Sequence, residues 1–348
     1  KSQDFRPHAS NRRGTGVAAS ALRAPAAMIV VGVLLEAGAT LVGTIGKQLL
    51  RYSKIAELAE EALVAKLALS IGLALNIIGG PILEVLAFGQ APQTLLTPLM
   101  GLDVLWNILL VPHTLGEEPT SRQRIGCVFI VLGTGVTAAA GPHHEEPYVL
   151  ETMQHRLLTM SALTYIIVEV SLFFLGSLYL LRRPKRDGKR GFVLGMLAGG
   201  IGGNLVPMKV TSSLISRSYS NGGAEFVKIW TSPLPLSIAA LAAVIALFSA
   251  ALLAHAMREF DATMMVATYE GAFVISGSAS GCAVLGELDV VGPPQRALYA
   301  LGVFLVVAGV LAAQPPHILT LSDVESPQKG DPKDNLFAAG GKVPLLKG

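Results

Sequence analysis

The sequence predicts an all-α integral membrane protein, and three observations carry that prediction. Of the 348 residues, 51% are hydrophobic and 15% charged, with a mean hydropathy of +0.55, whereas an ordinary soluble domain carries about 25% charged residues. Apolar blocks of roughly 20 residues recur between charged stretches, each long enough to cross a hydrocarbon core of about 30 Å as a helix. Several blocks hold a single carboxylate in mid-run, a pattern typical of membrane proteins that handle polar solutes. The net charge of +3 gives no sign of a nucleic-acid partner. Cys127 and Cys282 both lie in apolar blocks, so no disulfide framework is implied.

Nine spans follow in order, with a tenth left open. Residues 1–24 hold Arg6, Arg12, Arg13 and Arg23 against Asp4 and read as a disordered basic arm, although a transit peptide has the same composition. The first span, about 25–46, contains Glu36, and a polar amphipathic piece over 47–61 is placed outside the bilayer. The second, about 66–88, contains Asn76, Pro81 and Glu84, and a very short turn leads into the third, about 93–112, with Thr97, Pro98, Asp103 and Asn107. The fourth, about 124–140, follows a charged turn at Glu117 and precedes the acidic loop of residues 143–151. The fifth, about 157–181, carries Glu169 and ends in the densest basic run, residues 182–190. The sixth, about 191–213, opens with Gly195, Gly199 and Gly203 and contains Pro207 and Lys209. The seventh runs over about 233–256, the eighth over about 261–285 with Tyr269 and Glu270, and the ninth over about 296–313. The tail 314–348 has no helical period and reads as flexible. An excess of Lys and Arg on the side of Arg51, Arg122, Arg124 and the 182–190 run predicts a cytoplasmic C-terminus. The basic arm argues the other way, and a tenth span would satisfy it.

Two stretches resemble each other: TLGEEPTSRQRIGCVFIVLGTGV from residue 114 and VLGELDVVGPPQRALYALGVFLVVAGV from residue 284. Each has Leu-Gly-Glu at the end of one span, Gln-Arg opening the next, and two glycines seven residues apart, Gly126 with Gly133 and Gly302 with Gly309. The third and fourth spans thus match the eighth and ninth. An offset of five spans is odd, which predicts two inverted repeats of four helices, 25–140 and 191–313, joined by a linking helix over 157–181. Inverted repeats mark secondary transporters that alternate access around a midplane site.

A carboxylate at the bilayer centre costs about 2.5–3.5 kcal/mol on the insertion scale, so Glu36, Asp103, Glu169 and Glu270 together cost on the order of 10 kcal/mol before pairing. Lys209, with Lys47 and His255 at span ends, gives too few cations to neutralise them all. Either some acids are protonated, or they line a wet cavity that admits cations. Asp103 and Asn107 are four apart and share one helix face with Met100. Asn76, Gly80 and Glu84 line one side of the second span, and Thr263, Glu270 and Gly277 repeat every seven residues along the eighth. Such oxygen donors suit hydrated magnesium, which keeps several waters and takes one or two carboxylates. The alternative is that these acids pair with backbone or Lys209 and only lock helix packing. Lys209, near the end of its span, is expected to snorkel, and Pro98 and Pro207 each permit a kink. The glycine ladder from Gly195 reads first as a close helix contact. The His143, His144, Glu145 and Glu146 loop is not expected to converge on one ion. No nucleophile elbow, phosphate loop or zinc helix is present, so an enzyme is not expected.

Residues 91–99, Ala-Pro-Gln-Thr-Leu-Leu-Thr-Pro-Leu, resemble the Ala-Pro-Ala-Thr-Leu-Val-Thr-Pro-Leu signature of NIPA-type magnesium transporters, a branch of the drug/metabolite transporter superfamily. In the same order come the Leu-Gly-Glu turn with Ile125, Gly126 and Cys127, then Lys209, residues 260–263, Tyr269 and Glu287. The resemblance implies nine or ten helices, movement of a divalent cation and no bound organic cofactor. It departs from the family pattern at Gly80-Pro81, where Gly-Glu is expected and the acid is displaced to Glu84, and at Asp103, where a small polar residue is expected. The expectation is a carrier of magnesium or a similar divalent cation working by alternating access. Asp103 is the first contact, Glu84, Glu36, Glu270 and Asn107 supply further oxygens, and Thr97, Pro98, Lys209, Tyr269 and Glu169 serve transport or gating. Two other readings stay open: an exchanger of organic solutes whose Lys209 meets an anionic group, and an accessory subunit of a membrane complex. Expected surroundings are the bilayer, of plasma or endosomal membrane before another organelle, with a second copy or a larger complex as protein partner.

Overall fold

The computed structural model describes residues 14–114, 119–143, 155–184, 187–221, 223–260 and 262–313, and the regular elements among them are helices. Eight are long and apolar enough to cross a bilayer. Helix α1 (Gly14–Leu58) contains the span Ala27–Ser53. Next come α2 (Ala62–Phe88), α3 (Gln93–Thr114), α4 (Ser121–Ala140) and α5 (Met160–Arg182). Helices α6 (Gly188–Gly202) and α7 (Val206–Asn221) share the span Lys189–Ser218. A short amphipathic α8 (Gly223–Trp230) leads to α9 (Pro233–Glu259), α10 (Ala262–Ser280, continued by a π-helical turn at Gly281–Leu285) and α11 (Pro293–Ala312).

The expected eighth span is α10, which is not among the eight apolar enough to qualify. Its environment explains its composition: Met265, Ala267, Thr268, Glu270, Ala272, Val274, Ser276, Ser278 and Ser280 are all buried. A helix wrapped by protein needs no lipid-facing stripe and can hold serines and a carboxylate. By contrast α5 and α9 bury almost nothing in the bundle and present Ile167, Phe174, Val244 and Leu247 outward.

The first span extends further than expected. Helix α1 continues unbroken through residue 47 to Leu58, so Lys47 lies inside the Ala27–Ser53 span and not in a piece outside the bilayer. It also begins at Gly14, within the stretch read as an arm. Residues 1–13, the Leu-Gly-Glu turn at 115–118, most of the acidic loop, residues 185–186 of the basic run and the tail from 314 lie outside the described residues.

Prolines mark the departures from α geometry. A π-helical turn at Leu75–Gly79 immediately precedes Pro81; proline cannot donate to the ladder and its ring crowds the carbonyl four residues back. A 3₁₀ stretch at Thr97–Gly101 contains Pro98 and separates two α segments of α3. Pro207 sits in the first turn of α7, where a missing N–H is tolerated, just after the break at residues 203–205.

Glycines set the helix contacts. The two repeat-related pairs meet each other across antiparallel α4 and α11. A Cβ on Gly126 would fall 2.6 Å from the Gly309 carbonyl oxygen, and one on Gly133 would fall 2.7 Å from that of Gly302. The ladder of Gly195, Gly199 and Gly203 lies on α10, against Thr268, Tyr269, Ala272, Phe273 and Ser276. Both contacts bring backbones to distances that only glycine permits.

Candidate site: an acidic cluster among four helices

Helix α1 carries Glu36, Thr40, Thr44, Lys47 and Gln48 at spacings of three and four, a polar stripe on one face. Helix α3 answers it with Asp103, Trp106 and Asn107. Thr44 Oγ1 donates to Asp103 Oδ1 at 2.5 Å, and Lys47 Nζ donates to Asp103 Oδ2 at 2.5 Å. The same ammonium reaches Glu270 Oε1 of α10 at 3.3 Å. Trp106 Nε1 donates to Thr40 Oγ1 at 3.1 Å, and Gln48 Nε2 donates to Asn107 Oδ1 at 3.2 Å. Asp103 and Asn107 thus share a face, as their spacing predicts, and Met100 lies in the buried core cluster against which Val33 and Leu35 pack.

The other acids gather around this pair unequally. Glu84 is half-buried on α2, within electrostatic reach of Lys47, Asp103 and Glu36. The stripe expected along the second span does turn to α1, with Asn76 against Gly46 and Gly80 against Ala39 and Gly43. Glu36 is fully buried, and neither carboxylate oxygen has a hydrogen-bond partner. Three carboxylates therefore share one ammonium, and Glu36 lies within electrostatic reach of two of them, Glu84 and Glu270. Glu169 is not among them: its Oε1 accepts from Ser276 Oγ at 2.8 Å and Tyr165 OH at 3.2 Å. That separate network includes Asn204 at the α6–α7 break, whose Oδ1 is an alternative acceptor for the same Tyr165 hydroxyl, at 2.9 Å.

Three expected gating residues have packing partners. Thr97 Oγ1 donates to the Gln93 carbonyl at 2.8 Å, and its methyl lies against Gly277 of α10. Tyr269 stacks at 5.6 Å on Phe273 and accepts from Ser249 Oγ at 3.4 Å, while staying within electrostatic reach of Glu270 and Lys47. Lys209 corrects the expectation of snorkelling. It is fully buried, and its Nζ donates to the carbonyls of Phe88 and Ala91 at 2.7 Å each. These lie where α2 ends and the orphan carbonyls of a helix terminus need donors. The span Lys189–Ser218 runs on past Lys209, which is therefore not at its end.

Sequence reasoning missed Thr44 and Gln48 and took Lys47 for a span-end residue. The signal was present in the spacing of Thr40, Thr44 and Gln48, one polar residue per helical turn. It was hidden by ending the first span at residue 46. The capping role of Glu287 was also unseen. Its two oxygens accept from the backbone N–H groups of Gln93 and Thr94 at 2.9 and 2.7 Å, closing the N-terminus of α3 from the end of α10.

The bundle of membrane-length apolar helices, with α10 and its Glu270 enclosed by protein, is that of a multi-pass membrane protein. The family model for Magnesium transporter NIPA matches residues 56–315, three quarters of the chain, and the chain belongs to that family. Among curated proteins it is similar to the human Magnesium transporter NIPA3, 32% identical over 82 residues, covering 24% of this chain and 20% of that protein. It is also similar to the Probable magnesium transporter NIPA8 of Arabidopsis thaliana, 22% identical over 248 residues, covering 68% of this chain and 55% of that one. The chain therefore spans about half or less of the length of these relatives. No solved structure gives a significant match.

Proposed function

We propose that the protein carries magnesium or a similar divalent cation across a membrane, with Asp103 and Glu270 as the paired carboxylates that meet the ion. The observation that carries this reading is the charge imbalance: Asp103, Glu270 and Glu84 share the ammonium of Lys47, and Glu36 adds a fourth carboxylate beside Glu84 and Glu270. Asp103 is the eleventh of 22 residues in the span Gln93–Thr114, near the middle of the bilayer, where an unneutralised carboxylate is most costly. A divalent cation that keeps part of its water suits two facing carboxylates with Asn107 and Glu84 nearby. Glu36, lacking any hydrogen-bond partner, is the acid an ion would gain by approaching. Lys209 is engaged by backbone carbonyls, which takes support from an anion exchanger.

The repeat supports the same reading. Equating Gly126 with Gly302 and Gly133 with Gly309 carries the α4–α11 contact onto itself, since Gly126 meets Gly309 and Gly133 meets Gly302. Such an exchange is the behaviour of a pseudo-two-fold relation between residues 25–140 and 191–313, with α5 as the linker. Two inverted halves rocking about a midplane site give alternating access. The protein would act as a carrier and not an enzyme, in the plasma membrane or an endosomal membrane.

The test is magnesium uptake into proteoliposomes containing wild type, Asp103→Asn or Glu270→Gln. Each replacement keeps shape and removes one charge at the ion, so uptake is expected to fall at least tenfold, the equivalent of about 1.4 kcal/mol. Undiminished uptake in both variants sinks the assignment.

A further inference from the structure

We propose that Lys47 is a tethered cation that occupies the carboxylate pair between transport cycles and thereby sets the preference for divalent over monovalent ions. The proposal rests on the cation-carrier reading and adds to it the basis of selectivity. Three observations carry it. The Lys47 ammonium lies between two carboxylates from different helices, 2.5 Å from Asp103 Oδ2 and 3.3 Å from Glu270 Oε1, in the space an inner-sphere ion would need. Its side chain is 35% exposed while those of Asp103 and Glu270 are each 8% exposed, so Lys47 covers the pair on its open side. Asp103 is fixed independently of Lys47, because Thr44 Oγ1 holds its other oxygen. The carboxylate can therefore keep its place when the ammonium withdraws.

The consequence is a competition decided by charge. A side chain anchored on α1 presents its ammonium at a high effective concentration, which any entering ion must overcome. A sodium or potassium ion brings the same single charge as the ammonium, so it gains no Coulomb advantage by displacing it. A divalent ion brings twice the charge to the same carboxylates, and Coulomb attraction scales with that product. The released ammonium can follow its long flexible stem toward the open side. Lys47 would then act as a filter through occupancy rather than through the dimensions of the site.

The experiment is equilibrium magnesium binding to purified full-length protein in detergent, with and without sodium at about 150 mM, a physiological ionic strength. Choline at the same concentration serves as a control for screening. Wild type is expected to bind magnesium equally in sodium and choline. Lys47→Met is expected to bind it about tenfold more tightly in choline, and to lose most of that gain in sodium as the freed pair accepts monovalent ions. Lys47→Gln should behave like Lys47→Met and provides a second neutral variant if the first is not monodisperse. Lys47→Arg, which keeps the charge, should retain wild-type discrimination. Neutral variants that bind magnesium no better than wild type and show no sodium competition overturn the proposal and make Lys47 a structural counter-ion. If neither wild type nor the neutral variants bind magnesium, the cation-carrier reading itself fails, which is a separate outcome.

Discussion

Asp103 is held by two donors of different kinds, and they separate its positioning from its neutralisation. Thr44 gives a neutral hydroxyl to Oδ1 and Lys47 gives a charged ammonium to Oδ2. Hydrogen bonds between membrane helices average about 0.6 kcal/mol, whereas those to charged groups are worth about 1.5–3 kcal/mol. A neutral donor on a buried carboxylate falls between them, on the order of 1 kcal/mol. Thr44→Val keeps the β-branched shape and removes the hydroxyl. It should raise the magnesium concentration for half-maximal uptake several-fold, with a small loss of thermal stability. Thr44→Ser should be close to wild type in both. Equal kinetics for wild type and Thr44→Val would mean that α3 alone fixes the carboxylate.

At the scale of elements, the α4–α11 contact depends on absent side chains. A Cβ at Gly133 would stand 2.6 Å from the Val306 backbone nitrogen and 2.7 Å from the Gly302 oxygen, both atoms that a side-chain rotation cannot move. Two residues on, Gly135 has nothing within 4 Å of the same position. Gly133→Ala must push the helices apart, and overpacking of this kind costs about 1–3 kcal/mol. Gly135→Ala should be neutral or stabilising, by up to about 1 kcal/mol. Thermal unfolding of the two variants in one detergent checks the contrast, and equal melting would show that the contact is loose. These glycines were legible as a repeated pair because their spacing is local. Their partners were not, since which helices touch depends on the whole bundle. The same difference separates the Asp103–Asn107 face, read correctly from a spacing of four, from the ion pair of Lys47 with Glu270, 223 residues apart. Lys209 was misread for a related reason: a charged residue near an apolar boundary resembles a snorkelling one until the carbonyls of another helix end are seen beside it.

For the molecule as a whole, exposure is unequal around the cluster, and one end of α3 is tied down by the second half of the chain. Lys47 keeps 35% of its side chain exposed against 8% for Asp103 and Glu270, while the start of α3 is closed by groups from the second half of the chain. Glu287 binds the N–H groups of Gln93 and Thr94, Gln93 Nε2 donates to Ser280 Oγ at 2.7 Å, and Tyr299 OH donates to the Thr94 carbonyl at 2.7 Å. This seal lies nine or ten residues before Asp103 along α3, or about 15 Å at helical rise. Under the proposed alternating access it opens when the Lys47 side closes, so fixing it should stop transport without touching the carboxylates. Thr94 and Gly281 face each other across the seal: a Cβ on Gly281 would be 2.8 Å from Thr94 Cγ2. Such an approach suits a disulfide, whose Cβ atoms lie about 3.5–4.5 Å apart. Because Cys127 and Cys282 are free thiols, the pair Thr94→Cys with Gly281→Cys belongs in a chain with both replaced by Ala. Magnesium uptake is expected to stop on oxidation and return on reduction, with either single cysteine variant indifferent to the oxidant. Binding of magnesium from the Lys47 side should survive the cross-link. Undiminished uptake by fully cross-linked protein would show that the path for the ion does not pass between the two halves at this end.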